Sequence, residues 1–502
     1  MSNSTLLNSM KAITNYEYTT NGAVGHKTTG YKVLDMFATG AAMRERSDSD
    51  VILLFKNAMA EDEVLALKCL FWIRDIRGGQ GERRFFRVCM KWLANNNTNA
   101  ALRNLQYIPE FGRWDDLYTF VGTKCEKAAF KMIHDQLMLD LDSKTPSLLG
   151  KWLKSENASS KDTRILGDIT RKHLKMTHKQ YRKMLSILRT RINIVEKLMS
   201  ENRWDEIEFD KIPSKAGLIY KNAFARRDII KEKYEKFAKD ENTTVNAGSL
   251  YPYEVVQSAI NVMGSTNYWS RSSKKVALDN VDRLMVNKYW DNLTDYFKGA
   301  TLNALCMIDT SGSMEGTPIN VATSLGLYCA ERAGGPFANH YISFSSHPQL
   351  IETTGVDFCD KVDRIVRTNL CENTNIEAAF DLVLNTALAS HCEQSDLPEY
   401  ILVVSDMQFD NAQSYSNRWS SNAAGTLMEN IAKKWNAHGY EMPKLIYWNV
   451  NACGKADIPM IAGNVSFVSG FSPSIFQSIL TGKTGYQLLL ETLNNPRYNV
   501  IH

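Results

Sequence analysis

The chain has 502 residues, 44% of them hydrophobic and 23% charged, with a formal net charge of +4. That length calls for two or three domains, and that composition excludes wholesale disorder. No apolar run reaches the roughly 18 residues of a membrane span, the start lacks the basic-then-apolar order of a secretory signal, and the nine cysteines include no CxxC pair.

Up to Lys298 the pattern is helical. "EDEVLALKCLFWIRDI" places Val64, Leu67, Cys69, Leu70, Phe71 and Ile73 on one apolar face, with acids in its first turn. "RGGQG" interrupts, and "ERRFFRVCMKWLANN" begins the next helix. "CEKAAFKMIHDQLMLDL", "HKQYRKMLSILRTRINIVEKLMS", "RRDIIKEKYEKFAKD", "YPYEVVQSAINVM" and "VDRLMVNKYWDNLTDYF" continue the series. Successive helices joined by short polar turns predict an α-helical, HEAT-like repeat domain over residues 1–298. Trp72, Trp92, Trp114, Trp152 and Trp204 fall in or beside these helices, where tryptophan is expected as core. "GRWDDL" reads as a helix–turn junction with Trp114 buried and Asp115 or Asp116 capping.

From Leu302 the texture changes. "LNALCMID", "HYISFSS", "EYILVVSD", "KLIYWNV" and "NVSFVSG" are short apolar runs that end in polar loops, with helical segments between them. Buried strands alternating with helices predict a doubly wound parallel sheet over residues 299–470, with a helical closing segment over 471–502. Charge divides the same way. Residues 299–470 hold 18 acids and 9 bases, a balance of −9, which leaves 50 bases and 37 acids elsewhere, a balance of +13. An acidic module joined to a basic one suggests two tasks, and the basic one points to a polyanion.

In such sheets ligands sit beyond the carboxyl ends of the strands. "ALCMIDTSGSM" places Asp309 there, followed by Ser311 and Ser313. A serine nucleophile would want a G-x-S-x-G elbow, and a phosphate loop wants G-x-x-x-x-G-K-[ST]; neither is present. A carboxylate and two hydroxyls on one tight loop suit a hard cation, Mg²⁺ (or Mn²⁺), although Asp and Ser also serve as caps and turns. "CENTNIEAAF" adds Thr374 at a helix start, and "ILVVSDMQFD" adds Asp406 after a strand. Asp309, Ser311, Ser313, Thr374 and Asp406 together resemble the metal-ion-dependent adhesion site of von Willebrand factor A domains. The resemblance implies a bound metal whose remaining position takes an acidic group of a protein partner. No general base or activated nucleophile accompanies the set, so no enzyme is expected. Asp410, in "SDMQFD", is expected as an exposed loop acid, the alternative being a residue that supports the metal ligands from behind.

"NLQYIPEFGRWDDLY" and "IRDIRGGQGERRFF", with "KWL", "DKIPSKA" and "GFSPSIF", resemble domain-of-unknown-function family 2828, found in viruses and plants. The layout, helical repeats followed by a von Willebrand A domain, resembles the Ro autoantigen (TROVE) proteins. That likeness implies binding of structured RNA or single-stranded RNA ends by the helical domain. The residues offer two candidate surfaces. From Arg171 to Arg191 the chain has no acid and carries Arg171, Lys172, Lys175, Lys179, Arg182, Lys183, Arg189 and Arg191, with His178 and Tyr181 as stacking groups. "RDIRGGQGERR" adds Arg77, Arg83 and Arg84 beside glycines that let backbone N–H groups approach a phosphate. A solvated helix face and a plain helix–helix turn are the bland readings of the same strings. Two rival functions stay open: a protein-interaction scaffold that ignores RNA, and a metal-dependent nucleic-acid hydrolase. With no span and unpaired thiols, the expected location is the cytoplasm, the host's if the protein is viral.

Overall fold

The structure is a computed structural model and describes residues 10, 14–192, 194–264, 276–344, 347–368, 374–411, 426–461 and 465–502. The chain forms two compact units, one of Met1–Cys69 with Ala247–Arg497 and one of Leu70–Asn246 with Tyr498–His502. This partition is not the one drawn from sequence at residues 298 and 470. The helices Lys32–Thr39, Pro252–Met263 and Val281–Asp291 belong to the α/β unit, although their apolar faces look like those of the helical unit. Periodicity shows that a helix has a buried face and not which core receives it.

In the α/β unit the first elements are a small antiparallel hairpin, β1 (Tyr16–Tyr18) and β2 (Val24–His26). The main sheet comprises β3 (Ala304–Asp309), β4 (His340–Phe344), β5 (Gln349–Glu352), β6 (Tyr400–Ser405), β7 (Lys444–Asn449) and β8 (Val465–Ser469), in the order β5-β4-β3-β6-β7-β8. All pairings are parallel except β4 with β5, so the doubly wound sheet has one antiparallel edge. Every residue of β3, β6 and β8 is buried, which is why these strands read as unbroken apolar runs. The Thr317–Arg332 helix covers β3 closely at Gly326, where an added Cβ would stand 1.9 Å from Ile308 Cδ1. The Lys32–Thr39 helix packs on β8, fastened by Ser469 Oγ donating to Phe37 O at 2.8 Å. Within the expected closing segment, the Gly485–Leu493 helix also packs on β8, whereas Tyr498–His502 belong to the helical unit.

Since the strand order reverses about β3, with β4 on one side and β6 on the other, the carboxyl ends of β3 and β6 flank the topological switch point. Asp309 and Asp406 stand at those two ends.

The helical unit includes the helices Arg83–Asn96, Glu126–Asp142, Lys161–His173, His178–Arg191, Ser214–Arg226 and Asp228–Lys239. Three of these helix starts carry side-chain caps, from Glu82, Ser160 and Thr177, and Thr177 forms a reciprocal capping box with Gln180. Phe71 packs edge-on against Phe86 and Phe111, and Tyr498 stacks on Phe111 and donates to Asp75 Oδ2 at 3.1 Å. Trp72 and Trp204 are buried as expected. Trp92, Trp114 and Trp152 are only half-buried, and Val64 is 47% exposed, because the buried face of its helix begins with the next residue, Leu65. Asp116 does cap, accepting Arg113 N–H at 3.0 Å. Among the described residues no helix is long and apolar enough to cross a membrane, and no disulfide is present.

Candidate metal centre

β3 delivers Asp309 to the sheet's carboxyl edge with no exposure to solvent. The chain then turns sharply. Ser311 N–H donates to Asp309 Oδ1 at 2.9 Å, a short 3-10 turn spans Gly312–Met314, and the Ser311 and Ser313 hydroxyls stand 3.1 Å apart. Parallel pairing with β6 brings Ser405 alongside, and its hydroxyl donates to Asp309 Oδ2 at 2.5 Å. Asp406 follows, 1% exposed, with Oδ1 accepting Gln408 N–H at 3.0 Å. Its Oδ2 is buried with no hydrogen-bond partner. Thr374, also 1% exposed, is tied to this loop: Asp410 N–H donates to Thr374 O at 3.0 Å, and Asn21 Nδ2 donates to Thr374 Oγ1 at 3.4 Å.

Two carboxylates are therefore withdrawn from water side by side. Burial first and the charge of Asp406 second push the Asp309 carboxyl up to about 7, against the hydrogen bonds of Ser405 and Ser311. Asp406 is likewise raised by burial, against hydrogen bonds from Gln408 N–H and the Ser313 hydroxyl. A buried carboxylate pair with an unbonded oxygen is costly unless a cation joins it. The neighbouring donors are hydroxyls, and among the described residues no group of three or more His, Cys, Asp or Glu is placed to hold a metal ion. Oxygen donors of low total charge fit Mg²⁺ or Mn²⁺ and not a thiolate- or imidazole-seeking metal.

Asp410 is not the plain exposed acid that its place in the sequence suggested. It is half-buried, and its carboxyl is raised by burial against a hydrogen bond from the Thr374 main chain. Gln408 also went unnoticed in the sequence. Only 2% exposed, it accepts Thr20 N–H at 2.7 Å and donates to Lys455 O at 2.9 Å. The Asn21-Gly22 pair was a legible hairpin signal, but nothing local linked it to Thr374.

The basic candidates of the helical unit separate into two groups. Arg171 is held by Asp168 at 2.6 Å, Glu156 at 2.9 Å and Met176 O at 3.0 Å. Arg189 donates to Leu153 O, Ser155 Oγ and Gly150 O at 2.9–3.1 Å, and Arg191 to Leu141 O at 2.5 Å. Arg77 donates to Glu110 O at 2.6 Å, and Lys172 pairs with Asp168 at 2.6 Å. Lys175, Lys179 and Lys183 are exposed, and their side chains make no hydrogen bond or ion pair among the described residues; the Arg182 side chain makes one long bond, to His178 O at 3.4 Å. Tyr181 is no stacking platform, being fully buried with its hydroxyl on Lys154 O at 2.7 Å. His178 is exposed and bonded to Glu156 at 2.9 Å. A cleft of about 610 Å³ beside it mixes acids and bases, its lining including Glu156, Asp168, Arg164, Lys172, His178 and Arg182. Arg83 is exposed close to the Arg87 and Arg74 guanidinia, and Arg84 N–H donates to Glu82 at 2.8 Å, capping the Arg83–Asn96 helix.

The profile of the family described as Domain of unknown function (DUF2828) matches residues 19–164 and 147–301. That of Domain of unknown function (DUF7788) matches residues 303–491. The chain is 28% identical over 513 residues to "Uncharacterized protein L728" of Acanthamoeba polyphaga mimivirus, covering 93% of this chain and 85% of that protein. Among solved structures it is similar to the RO (RSR) protein of Deinococcus radiodurans, at 13% identity and a TM-score of 0.40, over 93% of this chain and 96% of that one.

Proposed function

The chain belongs to the DUF2828 family, and from that premise we propose that it is a non-catalytic binding protein with two ligands. Asp309, Ser311, Ser313, Thr374 and Asp406 would hold Mg²⁺ (or Mn²⁺), which when bound supplies a cationic position for the carboxylate of a protein partner. The helical unit binds RNA through the phosphates of a structured or single-stranded segment. The observation that carries the metal reading is the Asp309–Asp406 pair, with an Asp406 oxygen buried and unbonded. The RNA reading is supported by Lys175, Lys179, Arg182 and Lys183, which share one exposed stretch, three of them with no partner of their own.

Two measurements test these halves separately. Mg²⁺ titrated into the protein is expected to raise its melting temperature, and Asp309→Ala to remove that response; a melting temperature indifferent to Mg²⁺ and Mn²⁺ would sink the metal half. Retention of an RNA with a single-stranded 3′ tail should fall steeply with salt, the slope reporting ~0.7 per phosphate neutralised. Absence of retention at low salt would refute the RNA half and leave the helical unit as a protein-binding scaffold.

A further inference from the structure

We propose that Asn21, at the tip of the β1–β2 hairpin, is a positioning residue of the metal site, setting the Thr374 hydroxyl and the loop after Asp406 for the ion; this rests on the metal reading above. The hairpin tip is rigid in itself: Thr19 N–H donates to Ala23 O at 2.9 Å and Ala23 N–H to Thr19 Oγ1 at 3.0 Å. Gly22 turns it at φ +93°, a conformation that side chains rarely adopt.

Four successive tip residues then engage four successive residues of the metal loop. Thr19 Oγ1 donates to Phe409 O at 2.7 Å, Thr20 N–H to Gln408 Oε1 at 2.7 Å, and Asn21 Nδ2 to Gln408 O at 2.6 Å. Asn411 N–H donates to Asn21 O at 3.3 Å, and Gly22 bridges to Asp410.

Of these hairpin groups, the Asn21 amide is the one that, among the described residues, also reaches the side chain of a proposed ligand. Its Nδ2 has two hydrogens. One goes to Gln408 O, and the other faces Thr374 Oγ1 at 3.4 Å. An amide nitrogen can only donate, so Thr374 must accept there. Its second lone pair and its own proton are thereby directed away from Asn21. Groups that orient a metal ligand in this way typically change metal affinity by about 10–100-fold when removed. The tip lies 353 residues from Thr374 and 387 from Gln408, and residues 19–164 and 303–491 match different family profiles. The metal site is thus assembled from both matched regions.

Other contacts keep the hairpin docked without the Asn21 amide. His26 N–H donates to Ile458 O at 2.8 Å, His26 Nε2 lies 3.3 Å from Glu429, and Gly25 sits so close that a Cβ there would stand 3.0 Å from Ala456. A loss of metal affinity on Asn21→Ala would therefore not be a loss of docking.

The test is Mn²⁺ binding to the full chain, read from the electron paramagnetic resonance signal of the free ion, alongside the metal-free melting temperature. Asn21→Ala is expected to weaken Mn²⁺ about 10–100-fold while leaving the metal-free melting temperature within about 1 °C. Thr19→Val removes a hairpin anchor that does not touch Thr374. It is expected to lower the melting temperature and to leave Mn²⁺ affinity within about twofold. Unchanged affinity in Asn21→Ala, or an equal loss in Thr19→Val, would overturn the positioning role while the metal site stands. If the native chain takes up no Mn²⁺, or Asp309→Ala keeps it, the metal reading itself fails, and this inference with it.

Discussion

Arg74 and Asp116 meet at 2.7 Å with both side chains withdrawn from solvent, two guanidinium nitrogens resting on one carboxylate oxygen. The other oxygen of Asp116 takes Arg87 Nε at 2.7 Å. Gly112 makes room for the pair, since a Cβ there would stand 2.4 Å from Asp116 Oδ2. Removing one partner strands the other charge in the interior. Arg74→Met is expected to cost ~3–5 kcal/mol and Arg74→Met with Asp116→Leu appreciably less, as read by urea unfolding. A loss in the double variant equal to the sum of the losses in Arg74→Met and Asp116→Leu would show that the charges are not coupled.

Asp406→Asn should act oppositely in the presence and absence of metal. Without metal it relieves the repulsion that adds to burial in raising Asp309, and each unit by which Asp309 falls stabilises the ionised fold by ~1.4 kcal/mol. With metal it removes the gain of ~2.7 kcal/mol that a ligand at a hundred times its Kd confers. Melting curves at pH 8 with and without Mg²⁺ separate the two signs.

Asp457 lies outside the proposed ligands and gives a pH signature of its own. Burial raises its carboxyl from 3.8 to about 7, against hydrogen bonds from Gly454 and Cys453 N–H. The folded state keeps a proton that the unfolded chain releases, so this group's contribution is complete below about pH 4 and is lost as pH rises to about 7. The slope reaches ~1.4 kcal/mol per pH unit. Asp457→Asn should remove one proton's worth of that slope from the urea midpoint measured across pH 4.5–7.5.

The two groups of basic residues should part under substitution. Lys179, Arg182 and Lys183 changed together to Glu should abolish RNA retention and leave the melting temperature nearly unchanged. Arg189→Ala deletes the donor to three acceptors, two of them on the buried residues Gly150 and Leu153, and should destabilise by ~2–3 kcal/mol. Retained RNA binding in the triple variant would move the RNA surface elsewhere, with the exposed Arg83 region as the next place to change.

What the sequence made legible follows from how local each signal is. Strands buried on both faces, such as Ala304–Asp309 and Tyr400–Ser405, announce themselves as apolar runs. The edge strand Gln349–Glu352 is mostly exposed and carries no such run, so it passed unnoticed. Arg171, Arg189 and Arg191 looked like phosphate ligands because a charge tally does not see the carboxylates and carbonyl oxygens that hold them. Asp309, Ser311 and Ser313 share one loop and were readable together. Asn21 touches that site from a distant part of the chain, where no spacing rule reaches.

The Thr19–Phe409 hydrogen bond spans 390 positions, and the helical unit's residues 70–246 lie between its ends. A ribosome adding about 5–20 residues per second needs roughly 20–80 s to cover that interval. Throughout it the first 69 residues are outside their fold, with Val33, Met36 and Phe37, fully buried in the finished unit, still open to water. The nascent chain therefore presents a long-lived apolar segment, and its production is expected to depend on chaperone cover until β8 has emerged.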